Sequence, residues 1–173
     1  MKSVRWVLAA IVAGLLVLSG CSNPGAGVAA SVNGVSIPVS RIEEPVKAIG
    51  NSDGQLAEPH AIVLSYAIRG EIARSVAAEQ NIPLTGEPRT TVLNANPNLA
   101  QYAENPQVAG FVDDVVDSTL VINRIGETAF VEQVSRASVQ VNPRYGSWSI
   151  EAAAVAQAGG QLSKPWATPT PPA

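Results

Sequence analysis

The stretch from Ala61 to Gln80 has no proline and a single glycine, and its branched apolar residues include Ile62, Leu64, Ile68, Ile72 and Val76, with alanines between. That spacing lays an apolar stripe along one side of a helix. At 1.5 Å per residue such a helix is about 30 Å long, the width of a small domain. The rest of the chain must therefore pack along it. Asn81 is the expected stop, because Pro83 disfavours helical backbone at Ile82. Arg69, Glu71, Arg74 and Glu79 are assigned to the other faces of the helix. A second long helix is predicted over Gln107 to Arg124, with Val108, Phe111, Val112, Val115, Thr119 and Ile122 on its packing side. A third runs from about Glu127 to Arg136, after a break at Gly126 unless that glycine only weakens one continuous helix. Gly86, Pro88, Asn96-Pro97 and Asn105-Pro106 mark loops, with room for one helical turn at Thr90 to Leu93.

Both ends of this helical block read as strands. Asn33-Gly34 separates the β-prone runs Ala30-Ser31-Val32 and Val35-Ser36-Ile37, the pattern of a type I′ hairpin with φ > 0 at both turn positions. Ser40-Arg41-Ile42-Glu43 matches a capping box. Pro45 removes one helical hydrogen bond, so a short or kinked helix ending near Gly50 is expected, followed by a polar loop from Asn51 to Glu58. Ser138-Val139-Gln140-Val141 alternates like a half-buried strand, and Asn142-Pro143 ends it. Strands with open edges at both ends of one block are best satisfied by pairing with each other. The expected fold class is mainly α with a small antiparallel sheet, an N-terminal hairpin joined by a C-terminal strand, over residues 29–149.

The flanks carry a different message. Lys2 and Arg5 precede 13 uncharged residues, Trp6 to Leu18, too short to cross a hydrocarbon core that takes about 20. The run has the size and flanks of a secretory signal. It ends Leu18-Ser19-Gly20-Cys21, which resembles the lipobox of bacterial lipoproteins, in which the chain is cut before the Cys and the sulfur receives a diacylglyceryl group. Residues 1–20 are thus expected to be a signal peptide cleaved between Gly20 and Cys21. Cys21 is the lipid-attachment site, and 21–28 are a tether. Two or three acyl chains would hold the protein on the extracytoplasmic face of the cell membrane. Residues 150–173, rich in Ala, Pro and Thr, are expected to be a disordered tail with at most a frayed helical turn at Ala152 to Gln157. The single Cys excludes an internal disulfide or a Cys-rich zinc site, and one His leaves little for a histidine metal site. A net charge of -3 without a basic stripe is unsuited to nucleic acid.

The Val32-Asn33-Gly34 hairpin, with Ile37 and a short helix after it, resembles the opening of the SurA/PrsA-type extracytoplasmic foldases. Val139-Gln140-Val141-Asn142-Pro143-Arg144-Tyr145-Gly146-Ser147-Trp148 resembles the closing segment of actinobacterial lipoproteins of the SurA N-terminal-domain family. The long helix ending at Asn81-Ile82 is similar to that family's helix and Gly-Ile turn, with Asn in place of Gly. The resemblance covers roughly Ala29 to Trp148. It implies a SurA N-domain-like fold and chaperone-like handling of unfolded or exported polypeptides. The family often carries a parvulin prolyl-isomerase domain before its closing segment. Here Arg136 runs almost directly into Val139, so the resemblance implies a module without that domain.

The residues offer little for catalysis. No G-x-S-x-G, P-loop, H-E-x-x-H or G-x-G-x-x-G pattern occurs. His60 is read as a loop or helix-start residue, Asp113, Asp114 and Asp117 as a solvated face, and Glu43-Glu44 as favourable charge near a helix N-terminus. Arg144 is expected to pair with a helix carboxylate and lock the closing strand. No enzyme activity, metal or cofactor is expected. Tyr66, Phe111 and Phe130, with Tyr102, are the aromatic candidates for client contact. The alternative is a scaffold lipoprotein holding one cell-envelope partner.

Overall fold

The computed structural model describes residues 25–53 and 58–156. Cys21, Gly20, the signal segment and residues from 157 onward lie outside the described residues. The order is β1 (Val28–Val32), β2 (Val35–Pro38), α1 (Ser40–Asp53), α2 (Pro59–Gln80), α3 (Glu87–Asn94), α4 (Pro97–Ala103), α5 (Pro106–Ile125), α6 (Glu127–Arg136), β3 (Val139–Val141), β4 (Ser147–Ser149) and β5 (Ala154–Ala156). The fold is mainly helical with a small antiparallel sheet, as expected.

Asn33 and Gly34 take φ of 50° and 86°, the left-handed pair that a type I′ turn requires. β1 lies central in a three-stranded antiparallel sheet of order β2-β1-β3, with Val32 opposite both Val35 and Val139. The hairpin and the closing strand are therefore joined as expected. Pairs flanking a two-residue turn are hydrogen-bonded and then alternate, so Ser36 turns its backbone donor and acceptor to the open side of β2.

α2 stops at Asn81, whose φ of 55° and ψ of 42° close the helix in left-handed geometry. Gly126 takes φ of 87° and breaks α5 from α6, so the two are not one continuous helix. Several other expectations are corrected. α1 starts from the Val39 carbonyl, which accepts from Ile42 and Glu43; Glu43 turns outward from the helix start instead of closing a capping box with Ser40. The helix also runs past Gly50 to Asp53, with Ala48 and Ile49 packed on apolar neighbours. The stretch read as loops holds two short helices, α3 and α4. Asn96 and Asn105 each cap the helix that a following proline opens, so the Asn-Pro pairs mark helix starts.

Residues 150–156 do not form the tail expected there, and Ala152 to Ala156 is not helical. Residues 154–156 pair with β4 as a second small sheet. Val155 is 7% exposed, and its N–H donates to Ser65 Oγ at 2.8 Å, which fastens this sheet to α2. The core has two parts. Ile37, Ile42, Leu64, Ile68, Ile72, Val121 and Phe130 fill the space between sheet, α1, α2, α5 and α6. Val108, Val112, Val116 and Leu120 form a second layer beneath α3 and α4.

Candidate functional site

The closing segment folds back onto the helices as a clasp. Asn142 bridges to the start of the sheet: its N–H donates to the Ala29 carbonyl at 2.9 Å and its Nδ2 to the Val28 carbonyl at 3.1 Å. Its side-chain oxygen accepts from Arg144 N–H, which starts the tight turn through Pro143. Gly146 ends that turn at φ 119°, a backbone that a side chain would strain. The turn presents Tyr145 and Arg144 to α1. Tyr145 donates to Glu43 Oε1 at 2.8 Å, and Arg144 Nη2 reaches the same oxygen at 3.3 Å. His60, at the start of α2, sits 3.2 Å from the other Glu43 oxygen and stacks on the Tyr145 ring.

The hydrogen bond from Tyr145, aided by His60 and Arg144 and opposed by partial burial, holds the Glu43 carboxyl below its ordinary range. Burial, together with that same carboxylate, pushes the Tyr145 phenol up to about 12, so it remains a neutral donor. Trp148 packs half-buried on the core, its Nε1 sealed without a partner. The expected Arg144 lock is present, and Glu43 is its anchor. His60 lies at a helix start and is engaged by Glu43 and Tyr145.

A second charged cluster lies inside the helical body. Asp113, Asp114 and Asp117 are not one solvated face. Asp113 is exposed, while Asp114 is 1% exposed and Asp117 is also buried. Arg41 Nε donates to Asp114 Oδ2 at 3.2 Å, Arg74 Nη2 to Asp114 Oδ1 at 3.0 Å, and Arg74 Nη1 to Asp117 Oδ2 at 2.9 Å. Arg89 on α3 spans Asp117 and Asp113. Glu71 completes the set against Arg74 at 2.8 Å. Glu71 and Arg74, read as lying off the apolar stripe, take part in this cluster.

Burial raises Asp114 to about 6, against the lowering pull of Arg41 and Arg74. Burial lowers Arg74, but the surrounding carboxylates more than reverse that and hold it protonated. Side chains of four helices meet in this cluster, and Gly70 lets α5 approach α2 closely within it. An ideal Cβ there would stand 2.9 Å from Asp114 Cα. The one glycine in α2 was the visible signal for this close approach. Nothing in linear spacing shows which arginines reach it.

The aromatic candidates separate. Phe130 is 2% exposed and belongs to the core, so it is withdrawn as a client contact; α6 buries it against α2. Tyr66 and Phe111 are half-buried and meet edge to face at 5.6 Å between α2 and α5. Arg69, missed by the sequence reading, lies over Tyr66 at 5.3 Å and Phe130 at 6.0 Å. Tyr102 is exposed, as are Val35, Val131 and Ile150. An open cleft of about 170 Å³ runs between α2, α6 and the hairpin, lined mostly by polar residues including Asn33, Ser75, Glu79, Gln133 and Arg136.

Among the described residues, no group of three or more His, Cys, Asp or Glu side chains is arranged to hold a metal ion. Among them, too, no helix is long and apolar enough to cross a membrane. No family model matches the chain, and neither does any curated protein or solved structure.

Proposed function

We propose that this protein is a polypeptide-binding module of the extracytoplasmic membrane surface, held there by a lipid on Cys21 and chaperone-like without isomerase activity. The reading draws on the lipobox and on the SurA N-domain-like pattern of hairpin, long helix and closing segment. The observation that carries it is the outer strand β2. Val35 is 53% exposed, and Ser36 and Pro38 are exposed beside it. The Ser36 backbone groups face outward, so an extended chain has a place to pair while its side chains remain unselected. Pro38 limits the strand, which keeps the edge short and protects the protein from pairing with itself. Tyr145 and Arg144 of the closing segment are already engaged with Glu43 on α1, beside His60 on α2, in holding that segment to the helices. This favours binding over chemistry.

The test is to titrate the protein from Ser22 onward into several denatured exported proteins while light scattering is followed. Suppression of aggregation near stoichiometric ratios, weakened by Ser36→Pro, is the expected result. No suppression of any client refutes the chaperone reading. Capture of a single folded envelope protein by crosslinking in membranes then supports the scaffold alternative.

A further inference from the structure

Arg69 differs from the other half-buried arginines of the described residues. Arg41, Arg74 and Arg89 each have carboxylate partners inside the fold. Arg136 and Arg144, more exposed, are paired as well. Arg69 is half-buried on α2, and its Nε is sealed from solvent without any acceptor. Its contacts are with two rings, Tyr66 on the same helix and Phe130 on α6. Its terminal nitrogens are not among the sealed, unpartnered atoms. The open end of the guanidinium is therefore the Nη pair.

A cation removed partly from water without an anion is costly, and two ring faces offset only part of that cost. The same packing holds the planar fork in one orientation, so little side-chain freedom remains to be lost when an anion arrives. Tyr66, which leans against Phe111 at 5.6 Å, makes an aromatic ledge beside it. We infer that Arg69 is an anion-recognition point for a carboxylate of a bound polypeptide, an Asp or Glu side chain taken end-on by the Nη pair, with a neighbouring apolar side chain resting on Tyr66 and Phe111. This rests on the polypeptide-binding reading and adds a preference to it: acidic residues adjacent to apolar ones. A carboxylate is planar and accepts two parallel N–H bonds, matching the geometry of the fork.

The test uses the full-length protein in nanodiscs of zwitterionic lipid. The probe is a rhodamine-labelled, C-terminally amidated peptide with one Phe-Glu pair in a Gly/Ser background, and its Phe-Gln twin serves as control. Binding is read by fluorescence anisotropy. The native protein is expected to hold the Glu peptide at least about tenfold more tightly than the Gln twin, within the range of a charge-assisted pair. Arg69→Gln is expected to abolish that ratio, and Arg69→Lys to keep only part of it. Circular dichroism identifies any variant that has lost its fold, and Tyr66→Leu, which leaves Arg69 in place, is expected to weaken both peptides.

Equal binding of the two peptides by the native protein, with aggregation suppression intact, overturns this inference and leaves the polypeptide reading standing. Retention of the ratio in Arg69→Gln does the same. Binding of inorganic phosphate or phosphatidylglycerol vesicles through Arg69, without a Glu preference, assigns the site to phosphate and also overturns it. Failure to bind either peptide or to suppress aggregation removes both readings together.

Discussion

Gly70 and Asp114 meet where α2 lies against α5, and the space between them is too small for a methyl group. Alanine in place of glycine within a helix ordinarily stabilises by about 1 kcal/mol. Here overpacking against the Asp114 backbone reverses the sign, and Gly70→Ala is expected to lose about 1–3 kcal/mol in urea denaturation. An unchanged or raised midpoint would show that the two helices separate at little cost. Asp114 gives a pH signature of its own. Its carboxyl is raised from 3.8 to about 6 by burial, so between those values the folded chain holds a proton that the unfolded chain has released. That contribution favours folding at low pH and fades as pH rises through 6. The neutral Asp114→Asn variant lacks it. The stability of native protein relative to Asp114→Asn is therefore expected to grow as pH falls from 7 towards 4, read from thermal unfolding at each pH. Glu43, lowered by its Tyr145 bond, works in the opposite sense: its contribution is present above the ordinary carboxyl range and lost as pH falls through its folded value. Because Glu43 is present in both proteins, the comparison isolates Asp114.

The elements divide by how their contacts are made. The hairpin turn, the αL stop at Asn81 and the break at Gly126 follow from local backbone preferences; the first two were readable from a few adjacent residues, while Gly126 fitted either a break or a weakened continuous helix. The packing side of α5 was only partly readable. Val108 and Val112 are buried as expected, but Val115 and Thr119 are half-buried, while Asp114, Asp117 and Ser118 are interior. Hydrophobic spacing assigns charge to the outside, and only arginines brought from other helices make the reverse acceptable. β5 was read as tail because Ala-Val-Ala carries too little apolar surface to declare a strand. What fixes it is Ser65, a buried hydroxyl on α2 that accepts the Val155 N–H and itself donates to the Ala61 carbonyl at 2.6 Å. Ser65→Ala leaves that buried N–H without an acceptor and is expected to cost about 1–3 kcal/mol. Faster hydrogen exchange at Val155 would be the local readout, and unaltered protection there would mean that β4 alone holds the strand.

At the scale of the whole molecule, the folded unit extends past the closing segment to Ala156. A chain ended after Ser149 loses the partner of β4 and the burial of Val155, a side chain whose full removal from water is worth about 1.5–3 kcal/mol. It is expected to melt at lower temperature than the chain ended after Ala156, and equal melting temperatures would return residues 150–156 to the tail. The clasp was half legible. Arg144 was expected to meet a helix carboxylate, yet the choice of Glu43, and the arrival of His60 beside it, depend on α1 and α2 starting at the same end of the body. Arg69 was not legible at all, because an arginine on a helix reads as solvated until its neighbours are known. By itself the sequence determined the helical class, the hairpin, the pairing of the two ends and the extent of the longer helices α2 and α5, since proline, glycine, asparagine and apolar periodicity act within a few bonds of where they stand. Tertiary structure alone decided which charges lie inside, which strand edge stays open and which half-buried arginine of the described residues has rings in place of a carboxylate. Those outcomes depend on groups distant in the chain, and the free energy of a buried charge is set by what surrounds it.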